Sequence, residues 1–146
     1  MTLQNIRRYY ETPIRDICAA ATPAIPVLEA NQLDDGELGI NLEYVKLDLD
    51  FGETTLWTTC GNMEDIRGSF IIGHFSPKGF GPGITQELMT QFMVALNNLT
   101  TRPAARTFGV LGTLSKLEGP TFTALDDTPY FYSSLSMAIR ADWQAP

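Results

Sequence analysis

The sequence predicts an α+β fold: an antiparallel or mixed β-sheet with two helices packed on one face, in a single domain over residues 1–146. Two segments repeat apolar residues at three- and four-residue steps, the period of a helix buried on one side. Others alternate apolar and polar residues strictly, the period of a strand with one buried face. The order is helix, strands, helix, strands, with no linker, repeat or low-complexity tract, so the helices share one sheet rather than alternating with parallel strands. A chain of this length buries roughly 68–70% of its unfolded surface, enough for a real core.

The first helix is expected from Thr2 to about Ala21. Thr2 caps it, and Leu3, Ile6, Tyr10, Ile14 and Ile17 form one apolar stripe. Pro13 removes a backbone donor, so one kinked helix is expected, since the stripe keeps its phase across the proline. Pro23 and Pro26 end it, Val27–Ala30 suits a short strand, and NQLDDGELGI is an acidic loop. From Leu42 to Phe51, Val45, Leu47, Leu49 and Phe51 alternate with Tyr44, Lys46, Asp48 and Asp50, giving a strand with one buried and one wet face. Residues 52–66 read as a long hairpin arm, and Arg67–Ser76 as a second long strand. SPKGFGPG then breaks the chain. The second helix follows from Ile84 to Leu99, with Ile84, Leu88, Gln91, Phe92, Ala95, Leu96 and Leu99 on its inner face. Residues 106–114 suit a strand, Thr121–Leu125 a brief pairing, and Tyr130–Trp143 carries the longest alternation in the chain.

Charge narrows the function classes. Ten Lys and Arg against seventeen Asp and Glu give a net charge of −7, and the basic residues are scattered. Backbone-tracking nucleic-acid binding needs clustered cations, so it is disfavoured. A surface past which DNA merely slides is, by contrast, well served by acidic repulsion. Charged residues make up only 18% of the chain, which favours self-association. The N-terminus lacks the apolar core of a signal peptide, and no run approaches the about 18 apolar residues of a membrane span. Cys18 and Cys60 stand far apart without a CxxC or Cys/His cluster, the pattern of free thiols in a reducing cytoplasm.

Catalytic, cofactor and metal motifs are absent. His74 is the single histidine, and no sequence motif supplies the carboxylate or nucleophile that a general base needs beside it, so an ordinary strand histidine is expected. PKGFGPG lacks phosphate-loop spacing, and its prolines remove donors such a loop uses. Asp34, Asp35 and Glu37 do not follow calcium-loop spacing. Trp57, in a threonine-rich stretch, and Trp143, near the C-terminus, lie where a monomer core does not obviously reach, and aromatics are enriched at interfaces.

Several segments, taken in order, resemble the tail terminator proteins of long-tailed bacteriophages: NIRRYYETPIRDICAA with its exit ATPAIPVLEAN, then YVKLDLDFG, then RGSFIIGHFSPKGFGPG leading into ITQELMTQFMVALNNL, and finally PYFYSSLSMAIRADWQ. The resemblance covers most of the chain. It implies a structural protein without cofactor or catalysis, assembled as a homohexameric ring on the last ring of the tail tube protein. Such a ring stops tube polymerisation and presents a surface to the head-side connector or neck protein, with DNA passing unbound through its lumen. Rings of this kind close by heterologous contacts, for which sheet edges are suited. The 52–66 arm is then expected to reach a neighbour or the tube, with Trp57 as apolar anchor, Glu53, Glu64, Asp65 and Arg67 giving charge complementarity, and Trp143 as a further contact. Another neck component, a head–tail connector or tail completion protein, shares this size and fold class. A small ligand-binding or enzymatic domain built around His74 is the rival from another class, and a deep polar site there with a nearby carboxylate is what would favour it.

Overall fold

The computed structural model describes residues 3–29, 43–56, 63–78, 83–99, 110–113, 118–124 and 130–144. In chain order the elements are α1 (Leu3–Ala20), β1 (Val27–Glu29), β2 (Tyr44–Leu56), β3 (Met63–Pro77), α2 (Gly83–Leu99), β4 (Val110–Thr113), β5 (Glu118–Ala124) and β6 (Tyr130–Gln144). The strands form one six-stranded sheet in the order β1-β2-β3-β6-β4, with β5 also on β6. β1 runs parallel to β2, and every other pairing is antiparallel. The sheet is therefore mixed, one of the two arrangements expected.

Register explains the core. The antiparallel ladders set Val45, His74 and Ser133 in one row, Leu47, Ile72 and Leu135 in the next, and Leu49, Phe70 and Met137 in a third. All nine are buried, so this face of the sheet is closed over its central rows. Both helices cover it: Ile6, Tyr10, Ile14 and Cys18 from α1, and Leu88, Met89, Phe92, Leu96 and Leu99 from α2 join the same cluster. The Tyr10 and Phe70 rings lie 6.1 Å apart, joining α1 to the sheet centre. The Tyr9 hydroxyl donates to the carbonyl of Leu99, tying α1 to the end of α2. Each large apolar side chain buried in this way contributes about 1.5–3 kcal/mol of transfer free energy.

Several expectations are corrected in detail. α1 is one helix running through Pro13, but its buried line is Ile6, Tyr9, Tyr10, Glu11, Ile14 and Cys18, while Leu3 is 45% exposed. Leu3 opens the helix. On α2, Ile84 is 58% exposed and Gln91 also faces out, because the buried line passes through Thr85, Leu88, Met89, Phe92, Leu96 and Leu99. Leu88, Phe92, Leu96 and Leu99 are buried as expected, and Thr85 and Met89 flank them on the inner face in place of Ile84 and Gln91. The face of β2 expected to be wet is mixed, since Tyr44 is 3% exposed whereas Asp48 and Asp50 are open to solvent. β3 begins at Met63 rather than Arg67, and β5 runs Glu118–Ala124.

The expected arm is a continuation of the sheet. β2 and β3 stay paired from Glu53↔Arg67 to Leu56↔Glu64, and β6 follows alongside as far as Met63↔Gln144. A bulge between Phe51 and Glu53 shifts the β2 register by one residue. Gly68 lies opposite Phe51, and a Cβ there would stand 1.9 Å from the carbonyl oxygen of Asp50. Only glycine fits so close to a neighbouring backbone.

Candidate functional site

The residues expected at a partner interface lie along this arm. Arg67 is exposed on the face turned away from the helices, opposite Glu53 on β2 and Arg140 on β6. Glu64 stands between Leu56 and Trp143 in register, and Asp65 between Thr55 and Asp142. Of these, only Arg67 has a described side chain, and Trp57 lies outside the described residues, as do Cys60 and the acidic loop. The strand pairing thus brings Glu53 beside Arg67 and Glu64 beside Trp143.

The helix-free face carries a second aromatic group that the sequence reading did not single out. Tyr44 stacks on Phe75 at 4.6 Å with planes 8° apart, and Tyr130 meets both edge-on at 5.5 and 6.0 Å. Tyr132 extends the group, its ring 4.8 Å from Phe75. Gly73 makes room for it: a Cβ at that position would lie 2.9 Å from the Tyr132 ring. Tyr44 and Tyr130 are buried, Phe75 and Tyr132 half-buried, and Ile71, on the same face of β3, is 37% exposed. The signal was the even phase of β2 and β6, where three tyrosines fall among otherwise polar positions.

On the helix-covered face the core changes character at the end where β2 and β6 begin and β3 ends. His74 and Ser133 are fully buried there, and Ser76 and Thr85 nearly so. His74 Nε2 lies 2.6 Å from Glu43 Oε1, at the threshold of β2. A carboxylate only accepts, so Nε2 carries a proton and donates it. Neither His74 Nδ1 nor Ser133 Oγ, on the residue directly opposite in register, has a hydrogen-bond partner among the described residues. The Ser76 and Thr85 hydroxyls, 3.3 Å apart, bond across from β3 to α2. Sequence offered no carboxylate for His74, and the structure corrects that: Glu43, 31 positions earlier, is brought in by the β2–β3 register. Cys18 feels the same group. Burial, and secondarily the Glu43 charge, push its thiol up to about 12 against a weaker opposing pull from Arg15. It is a free, buried thiol, as expected.

A four-residue ion-pair network fastens α1 to β1. Arg15 bonds Glu29 at 2.7 Å and Glu11 at 3.4 Å, while Arg7 stands 3.7 Å from Glu29 and 3.9 Å from Glu11. Glu11 is 5% exposed, and its carboxyl is held above the usual value, chiefly by burial and partly offset by Arg15. The half-exposed pairs are screened and individually worth little. Among the described residues no three His, Cys, Asp or Glu side chains gather as a metal site, and no helix is long and apolar enough to cross a membrane.

The fold defines a class: a single α+β domain with two helices on one face of a mixed sheet. No family model matches the chain, and no curated protein is significantly similar to it. A solved structure of almost the same extent is similar to it with a TM-score of 0.68, covering 100% of this chain and 99% of that one at 17% identity. At that identity the likeness shows the fold alone.

Proposed function

We propose that this protein is a tail terminator of a long-tailed bacteriophage: a non-enzymatic structural subunit that forms a hexameric ring, caps the tail tube, stops its growth and joins the tail to the head-side connector. It is assembled in the host cytoplasm and ends in the virion neck, with DNA passing through the ring without specific binding. The observation that carries the reading is the one-sided architecture. Both helices cover one sheet face, while the other keeps Ile71, Phe75 and Tyr132 partly open on the strands that continue into the arm. An assembly subunit needs such uncommitted surface, and the chain's low charge content suits it. Light scattering on the pure protein, alone and with assembled tail tubes, tests the proposal. A hexamer, or one ring per tube end, supports it; a monomer that ignores tubes sinks it. Binding to empty-head connectors instead of tubes would reassign the protein to another neck role. Trp57→Ala is expected to weaken assembly while leaving thermal unfolding unchanged, and unaltered oligomers would remove Trp57 from the interface.

A second reading, a small ligand-binding or enzymatic domain, draws on the part-buried Glu43–His74 pair. It requires access, and His74 and Ser133 are both fully buried. The burial favours a structural role. His74→Gln that leaves assembly on tubes intact separates the two readings.

A further inference from the structure

We infer that copies of this chain join edge to edge through their sheets, Glu53–Leu56 of β2 in one copy pairing antiparallel with Val110–Thr113 of β4 in the next. The inference rests on the self-assembly in the proposed function and names the surfaces that carry it. β1 covers β2 only over Val45–Leu47, so beyond that point β2 is the edge of the sheet among the described residues. Exposed Asp48 and Asp50 come first on this edge, and a bulge between Phe51 and Glu53 follows. Charges and bulges both discourage pairing by another chain. Past the bulge the ladder resumes as ETTL, four residues without lysine or proline. At the opposite end of the sheet β4 is VLGT, also four residues without either, and among the described residues it pairs with β6 alone.

These two edges terminate the same rows. One row runs Glu53, Arg67, Arg140, Gly112, and the next Thr54, Ile66, Ala141, Val110. Three antiparallel steps separate β2 from β4, so a copy laid at the end of the rows offers its β2 antiparallel to β4. Charge selects a second copy as the occupant. Arg67 and Arg140 stand directly opposite each other, which is unfavourable for like charges, and the row ends at Gly112 with no side chain. The next copy brings Glu53 beside Gly112, two strand spacings or about 10 Å from Arg140. Arginine and glutamate are long enough to meet across such a span. The anionic end of one row thus meets the cationic end of another. Because the two surfaces differ, the contact is heterologous, and its repetition gives a ring where the rotation closes.

Within one copy, residues 53 and 112 are three strand spacings apart, about 14 Å, whereas a disulfide needs Cα atoms about 4.4–6.8 Å apart. A disulfide between them therefore reports two copies. In a Cys60→Ser background, Glu53→Cys, Thr54→Cys or Thr55→Cys is combined with Gly112→Cys and oxidised, with and without assembled tail tubes. Thr113→Cys replaces Gly112→Cys should the latter not fold. At least one combination is expected to convert the monomer band into a ladder of covalent oligomers, and a mixture of the two single variants to stop at the dimer. Covalent dimers of a β2 variant by itself overturn the inference, because they bring two β2 edges together. Oligomers in light scattering that cross-link in no combination overturn it and leave the terminator reading standing. Cross-linked chains of more than six copies support the edge pairing and count against the terminator, whereas a monomer both with and without tubes removes both.

Discussion

Removing the Glu43 carboxylate should expose how much the core depends on its one histidine. Glu43→Ala leaves the His74 Nε2–H buried without an acceptor, whereas Glu43→Gln keeps a carbonyl oxygen at the same reach. A hydrogen bond to a charged group contributes about 1.5–3 kcal/mol, and an orphaned buried donor costs about 1–3 kcal/mol. The Glu43 side chain is 29% exposed, so solvent offers partial compensation and the lower part of the range applies. We expect Glu43→Ala to lose about 1–2 kcal/mol and Glu43→Gln less than half of that. Urea unfolding followed by fluorescence measures both, and the cycle with His74→Phe isolates the pair. Contacting partners couple by about 0.5–3 kcal/mol, while independent sites add to within about 0.5 kcal/mol. Additivity in that cycle would refute the reasoning, because a 2.6 Å contact that does not couple is not acting as a hydrogen bond.

Three further outcomes are expected. Gly68→Ala should destabilise the chain by about 1–3 kcal/mol in the same assay, since its Cβ must displace the Asp50 carbonyl from 1.9 Å; an unchanged midpoint would contradict the close approach. In a Cys60→Ser background, Cys18 should resist iodoacetamide at pH 8 until urea unfolds the protein. Because the folded thiol keeps its proton up to about 12 while the unfolded thiol loses it near 9.0, Cys18 makes stability fall by about 1.4 kcal/mol per pH unit between those values. Cys18→Ala should abolish that contribution. For Glu11 the folded carboxyl titrates above its ordinary 4.5, so the folded state binds the extra proton. Its contribution to stability therefore rises as pH falls through the folded value and is complete below 4.5. Glu11→Gln should lack this, so the wild type gains relative to the variant on acidification; the opposite slope would show that the flanking arginines outweigh burial.

The sequence makes the layers of this fold legible because periodicity is a local property. The odd-numbered apolar line of β2 and the long alternation of β6 are read directly from residue spacing. Features that depend on pairing between strands are not. Nothing near His74 announces Glu43 or Ser133, since their meeting requires the registers Val45↔His74 and His74↔Ser133. The bulge at Phe51/Glu53 breaks the phase that spacing alone would carry into the arm. Ile84 misleads for a related reason: at the first turn of α2, packing buries Thr85 and leaves the isoleucine exposed, which residue type alone does not foretell. Glu53, Glu64, Asp65 and Arg67 were candidates through the resemblance, and the ladders align them along the strands without saying what they touch.

The position of β6 has a consequence for how the chain acquires its shape. Residues 130–144 follow the other described strands in the chain, yet they occupy the interior of the sheet, bonded to β3 on one side and to β4 and β5 on the other. Met63 pairs with Gln144 across the molecule, so the defining contacts are far apart in sequence. Topologies of this kind fold slowly, because long loops must close before any reward arrives. During synthesis the earlier strands must wait with the β3 edge bare, the condition that invites pairing with other chains. A chain without residues 130–144 would leave β3, β4 and β5 without their shared partner strand.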